Sequence, residues 1–222
     1  ASLEEIPLSK PYSIAYKTTS SIKNLLVKIV LKNGVYGLGA ASVSKYVVGV
    51  DTQEAFSAAK DYQSSLVGKN ISEVFKNIEA VEKDLSFNPG ARAAINIALH
   101  DVYCKHTNIS LGGLLGQKTS PLPTSVTVGI KSATETIAEI EEYLAGGFKN
   151  IKIKLGEEVE KDIERMLKVQ ERFGNSIVVR IDANQGWSFE ETLAFVGAVK
   201  NIELIEQPLN VNSSEEYLQF PK

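Results

Sequence analysis

The chain has 222 residues, 43% of them hydrophobic and 23% charged, with a net charge of −3. That length can bury one large core or two modest ones, and the weakly acidic balance offers no basic field for phosphates, so neither nucleic acid nor a membrane surface is an expected partner. No apolar run reaches the roughly 18–20 residues of a membrane span, the opening Ala1-Ser2-Leu3-Glu4-Glu5 does not read as a signal peptide, and Cys104 has no second cysteine to bridge, so a cytoplasmic, reducing location is expected.

In chain order, residues 10–23 carry hydroxyls and Pro11 but little strict alternation, and read as a strand end plus a loop. Residues 25–30 and 35–40, joined through Asn33-Gly34, read as a β-hairpin closed by a type I′ turn. Asp51 and Thr52 can cap a helix running to about Leu66, and Ser72 can begin a second that runs to about Leu85. Asn88-Pro89-Gly90 reads as a breaker. An Ala-rich helix over residues 91–105 follows, with side chains small enough for close packing. Leu111-Gly112-Gly113-Leu114-Leu115-Gly116 lacks the lysine and preceding strand of a phosphate loop and reads as a linker. His100, His106 and Cys104 have no ligand-spaced partners and are expected to be structural.

After Pro121 the texture changes. Strands near residues 126–130, 151–154, 178–182 and 202–206 alternate with helices near 133–144, 159–173 and 188–200, the last capped by Ser188 with Glu191. A period of roughly 25–30 residues with short loops predicts parallel strands, which fits a doubly wound sheet or part of a (β/α)8 barrel. The expected division is 1–118 and 119–222.

The chemistry-bearing residues lie at the ends of these strands. Lys152 and Lys154 are two apart, so both leave the same face. Adjacent ammonium groups repel and are expected to lower each other's pKa, which would let a lysine take a proton near neutral pH. Asp182 and Glu206 each end an apolar strand, at the end where parallel β/α folds place their sites. Two hard oxygen donors on one rim suit Mg²⁺. The competing account is that the carboxylates cap helices or pair with the lysines.

Lys152-Ile153-Lys154, Asp182-Ala183-Asn184-Gln185-Gly186-Trp187 and Ile205-Glu206-Gln207-Pro208, in this order and spacing, resemble the enolase superfamily and, within it, the muconate-lactonizing branch. The resemblance implies an α/β, enolase-like fold: an α+β capping domain followed by the first half of a (β/α) TIM-type barrel. It implies a Mg²⁺-dependent isomerase that removes the proton α to a carboxylate through an ene-diolate. Lys154 would be the base and Lys152 its tuner; Asp182 and Glu206 would be two of three Mg²⁺ ligands, and Asn184 would orient groups beside the metal.

The wording is closest to dipeptide epimerases, the Ala-Glu type included, with muconate cycloisomerase, o-succinylbenzoate synthase and N-acylamino-acid racemase as alternatives. Thr127 would touch substrate. Lys17 would stand where some of these enzymes place an arginine for a substrate carboxylate, keeping the charge without the bidentate geometry. The resemblance also implies a third metal ligand and an opposite lysine beyond Lys222. The chain is therefore expected to be a fragment or half of a split enzyme, inactive alone, and to self-associate through open barrel edges or assemble as a homo-oligomer. A non-catalytic half-barrel that serves as an assembly partner is the contrasting expectation.

Overall fold

The computed structural model describes residues 1–14, 17–118 and 120–220; for Lys10, residues 12–14 and residues 17–18 the description is of backbone only. The side chain of Lys17 therefore lies outside the described residues. The chain divides into two units, Ala1–Ser9 with Ser21–Ser120, and Lys10–Ser20 with Pro121–Lys222.

A three-stranded sheet runs in the order β1 (Ser2–Ile14), β2 (Lys17–Val30) and β3 (Tyr36–Ser42), and the first unit holds it except for the part of β1 and β2 within Lys10–Ser20. The stretch expected to be a strand end and loop is mostly strand, because hydrogen bonding between β1 and β2 defines it where side-chain alternation gives no signal. The β2–β3 hairpin forms as expected, with Val30 opposite Tyr36 and Leu25 opposite Ala41. Its turn differs: Gly34 N–H donates to Leu31 O (2.9 Å), Leu31 N–H donates to Val35 O (2.8 Å), and Gly34 alone in the turn has positive φ. This is a type I turn closed by a left-handed glycine, not a type I′ turn; Asn-Gly serves both, and loop length decides between them.

Helices α1 (Lys45–Val48), α2 (Thr52–Asp61), α3 (Gln63–Leu66), α4 (Val74–Asp84), α5 (Pro89–Thr107) and α6 (Leu111–Leu114) complete this unit. Asp51 forms a full capping box with Glu54. Asn88-Pro89-Gly90 starts α5 instead of breaking the chain: Asn88 Oδ1 accepts from Ala91 N–H at 3.0 Å and Pro89 occupies the first turn, where its missing N–H is no loss. The alanines of α5 lie directly on β3. A Cβ on Gly39 would come within 1.9 Å of Ala94 O, and one on Gly37 within 2.3 Å of Val102 N, so both glycines are required by backbone-to-backbone approach.

The second unit alternates β4 (Ser125–Val128), α7 (Ala133–Ala145), β5 (Asn150–Lys154), α8 (Val159–Phe173), β6 (Val178–Asp182), α9 (Phe189–Ala198), β7 (Ile202–Glu206) and α10 (Ser214–Tyr217). The strands form one parallel sheet in chain order. Capping boxes at Ser132 and Ser188 start α7 and α9. Ile151, Ile153, Val179 and Ile181 send their side chains to one face, into a core with Ile140, Met166, Val169 and Phe195. Each such fully buried side chain contributes about 1.5–3 kcal/mol. The alternate residues, among them Lys152, Lys154, Arg180 and Asp182, therefore share the opposite face. No helix among the described residues is long and apolar enough to cross a membrane.

Candidate active site

Strand register brings the predicted residues together. Lys154 pairs with Asp182, and Asp182 with Glu206, so three strand ends place their last side chains in one row on one face. The phase of β7 depends on an irregularity. Val179 pairs with Ile202 but Arg180 with Leu204, which leaves Glu203 as an extra residue. Without it Asp182 would face Ile205 and Glu206 would miss the row; a one-residue slip sends every following side chain to the other face.

The four charges are linked in one chain, Lys154–Asp182–Lys152–Glu206. Lys154 Nζ donates to Asp182 Oδ2 at 2.6 Å. Lys152 Nζ bridges Asp182 Oδ2 at 2.8 Å and Glu206 Oε2 at 2.6 Å. Asp182 is only 2% exposed and its other oxygen accepts from Asn184 N–H at 3.0 Å. Burial pushes the Asp182 pKa up, but hydrogen bonds from Lys152 and Lys154 outweigh it and hold the carboxyl below its ordinary value. Burial likewise works against the Lys152 charge, yet hydrogen bonds to Asp182 and Glu206 win and raise its pKa. This corrects the expectation for Lys152: the two nearby carboxylates outweigh its burial, so its pKa is raised, not lowered.

Asn184, Gln185 and Gln207 follow the strands with positive φ. Asn184 Oδ1 is buried with no hydrogen-bond partner, the kind of orphaned acceptor that a bound cation or ligand donor would satisfy. Asp182 and Glu206 already meet on one cation, the Lys152 ammonium, so their placement fits a shared ion and their hard oxygens suit Mg²⁺. They form a partial shell: among the described residues no group of three or more His, Cys, Asp or Glu side chains could hold a metal. Thr127 pairs with Lys152 in the register and is exposed, while its carbonyl accepts from Tyr143 Oη at 3.4 Å.

Residues 2–116 match the mandelate racemase / muconate lactonizing enzyme N-terminal domain, and residues 135–220 match the enolase C-terminal domain-like family. The chain belongs to the mandelate racemase / muconate lactonizing enzyme family. It is 41% identical to the L-Lys-D/L-Arg epimerase of Desulforapulum autotrophicum over 99% of its own length and 62% of that protein's. Among solved structures, the dipeptide epimerase from Methylococcus capsulatus complexed with Mg and L-Arg-D-Lys superposes with a TM-score of 0.93 at 36% identity, covering 100% of this chain and 63% of that one. The substrate-liganded L-Ala-D/L-Glu epimerase from Bacillus subtilis superposes with a TM-score of 0.89 at 30% identity, covering 97% and 62%. The chain thus spans about 62% of the length of the curated relatives it matches.

Two features of this family member escaped sequence reasoning. Arg180 lies on the same face one row below the site, donating from Nη1 to Ser125 Oγ at 2.8 Å and from Nε to Glu203. Asp162, fully buried in the first turn of α8, joins Arg165 and Trp187 behind the rim. In sequence Asp162 resembles any first-turn acid such as Glu160; only its i, i+3 spacing to Arg165 hints at a pair.

Proposed function

We propose that the polypeptide is a Mg²⁺-dependent dipeptide epimerase that moves the proton α to a carboxylate. The observation that carries this is the single-face network of Lys152, Lys154, Asp182 and Glu206, whose contacts are 2.6–2.8 Å, in a chain whose relatives act on dipeptides. Lys154 is assigned as the base at Nζ, which takes the proton only as the free amine and so must first leave its pairing with Asp182. Lys152 stays cationic and offers a positive charge beside the oxygens where the enolate charge grows. Asp182 and Glu206 would hold the metal, with Asn184 Oδ1 as a further oxygen beside it. When bound, Mg²⁺ supplies charge neutralisation at the substrate carboxylate. Thr127 and Lys17 are assigned to substrate contact.

The preferred substrates in this proposal are dipeptides with cationic side chains. Support comes from the two L-Lys-D/L-Arg epimerases at 41% and 38% identity, against 30% for the L-Ala-D/L-Glu epimerase of Bacillus subtilis. The Ala-Glu type remains the second reading, resting on Lys17 as a cation for an acidic side chain.

The test is α-hydrogen exchange in deuterated water, read by NMR on a panel of Lys-Arg, Ala-Glu and apolar dipeptides. The 222-residue chain and the longest product of its gene are both assayed, with and without Mg²⁺. Exchange of one stereoisomer is expected to vanish in Lys154→Ala; exchange of both isomers at the unaltered rate in that variant would remove Lys154 from its role. Failure of every dipeptide to exchange would remove the function itself.

A further inference from the structure

The buried cluster behind the rim has no part in the chemistry proposed above. Asp162 is completely buried, and a buried carboxylate is costly unless every oxygen is partnered. Here both are. Oδ2 accepts from Gly156 N–H at 2.9 Å, Glu157 N–H at 3.2 Å and Trp187 Nε1–H at 3.1 Å. Oδ1 accepts from Arg165 Nη2, and Arg165 Nη1 donates to Lys131 O at 2.9 Å.

The cluster draws on three different loops, two of them bonded to Asp162 directly and the third through Arg165. Lys131 belongs to the segment after β4, Gly156 and Glu157 to the segment after Lys154 at the end of β5, and Trp187 to the segment after Asp182 at the end of β6. A helix start needs no such arrangement, since an exposed cap would serve α8 as well. The loops are also locked to each other. Leu155 N–H donates to Asp182 O at 2.9 Å, and Trp187 N–H donates to Pro208 O at 3.1 Å. A Cβ on Gly186 would come within 2.1 Å of Gly156 O, so the two segments touch backbone to backbone. A shift at residues 155–157 therefore has no slack before it reaches Lys154 and Asp182.

We infer that Asp162 is a positioning residue: through Gly156, Glu157 and Trp187 it sets where β5 and β6 deliver Lys154 and Asp182, and through Arg165 it ties the segment after β4 to the same point. The catalytic half of this statement rests on the epimerase reading; the geometric half does not.

Trp187 is the only tryptophan in the chain, so its fluorescence reports directly on the Asp162 bond. The variants are Asp162→Ala, which orphans every donor, and Asp162→Asn, which keeps one acceptor oxygen but turns an N–H toward Arg165. In Asp162→Ala, Trp187 emission is expected to move to the red with greater quenching by acrylamide. In both variants amide hydrogen exchange should speed up at residues 152–157 and 182–187 before it does in α7. If the parent exchanges dipeptide α-hydrogens, kcat should fall about 10- to 100-fold with KM within about twofold, the scale for losing a supporting contact or displacing a reacting group by about 1 Å.

General loss of stability would instead raise amide exchange uniformly and leave kcat of the folded fraction unchanged. Either of those results, or wild-type emission in a folded Asp162→Ala, overturns the inference. Should Asp162→Ala not fold, Asp162→Asn decides on amide exchange and kcat alone. A parent that exchanges no dipeptide defeats the epimerase reading, while the fluorescence and amide-exchange results still decide for or against Asp162.

Discussion

Gly156 is the position where a single methyl group should do most damage near the site. Its φ is +103°, and an added Cβ would lie 1.9 Å from Ala183 O and 2.9 Å from Ala183 C. The conformation alone is worth about 1–3 kcal/mol against alanine. Real Cβ contacts do not fall under 3.0 Å, so the backbone must part by at least 1.1 Å, the difference between 3.0 and 1.9 Å. That movement strains the Leu155 N–H to Asp182 O hydrogen bond beside it and adds about 1–3 kcal/mol as overpacking.

Gly147 provides the control, because its φ is +88° and nothing lies within 4 Å of an added Cβ. Gly147→Ala should therefore lose only the conformational part, about 1–3 kcal/mol, and Gly156→Ala roughly 2–6 kcal/mol. Urea unfolding followed by Trp187, which is 3% exposed when folded, measures both in the same unit. Equal losses in the two variants would refute the argument that close approach of the segments after β5 and β6 requires glycine at 156.

Three further outcomes are expected. Tyr62 Oη donates to Asp84 at 3.0 Å, and burial followed by that hydrogen bond pushes its pKa from 10.0 up to about 12. Its folded pKa is raised, so the linked stability is complete below pH 10.0 and disappears as pH climbs through about 12; urea midpoints of Tyr62→Phe across that window should lack this decline. Asp182 has a lowered folded pKa, so its linked stability is present above 3.8 and drains away as pH falls below it, and Asp182→Asn should flatten that acid limb in the same titration. Edge strands β4 and β7 have no further strand neighbour among the described residues, and gel filtration of the 222-residue chain should show concentration-dependent self-association; a monomer at all concentrations would contradict it.

Much of the second unit was legible because its signals are local. Ser188 announces a helix start by its own side chain three residues before Glu191, and Val159–Phe173 shows its apolar stripe at helical spacing. Runs such as Ile151-Lys152-Ile153-Lys154 declare which residues share a face through the period of two. Less could be read from residues 10–14 and 17–23, where strand character comes from pairing with a neighbour and leaves no alternation behind.

The amino-acid sequence by itself singled out Lys152, Lys154, Asp182 and Glu206 as the candidate side chains and put them at the ends of parallel strands. Tertiary structure alone decided that they meet. The extra residue at Glu203 sets the phase that puts Glu206 in the row with Asp182. Packing of Gly156 against Ala183 and Gly186 brings successive segments into contact, and Asp162 is chosen from among similar acids by the two loops that bond it and a third held through Arg165. Alternation and capping are properties of a few consecutive residues, whereas register, close approach and burial of a charge depend on groups that only folding makes neighbours.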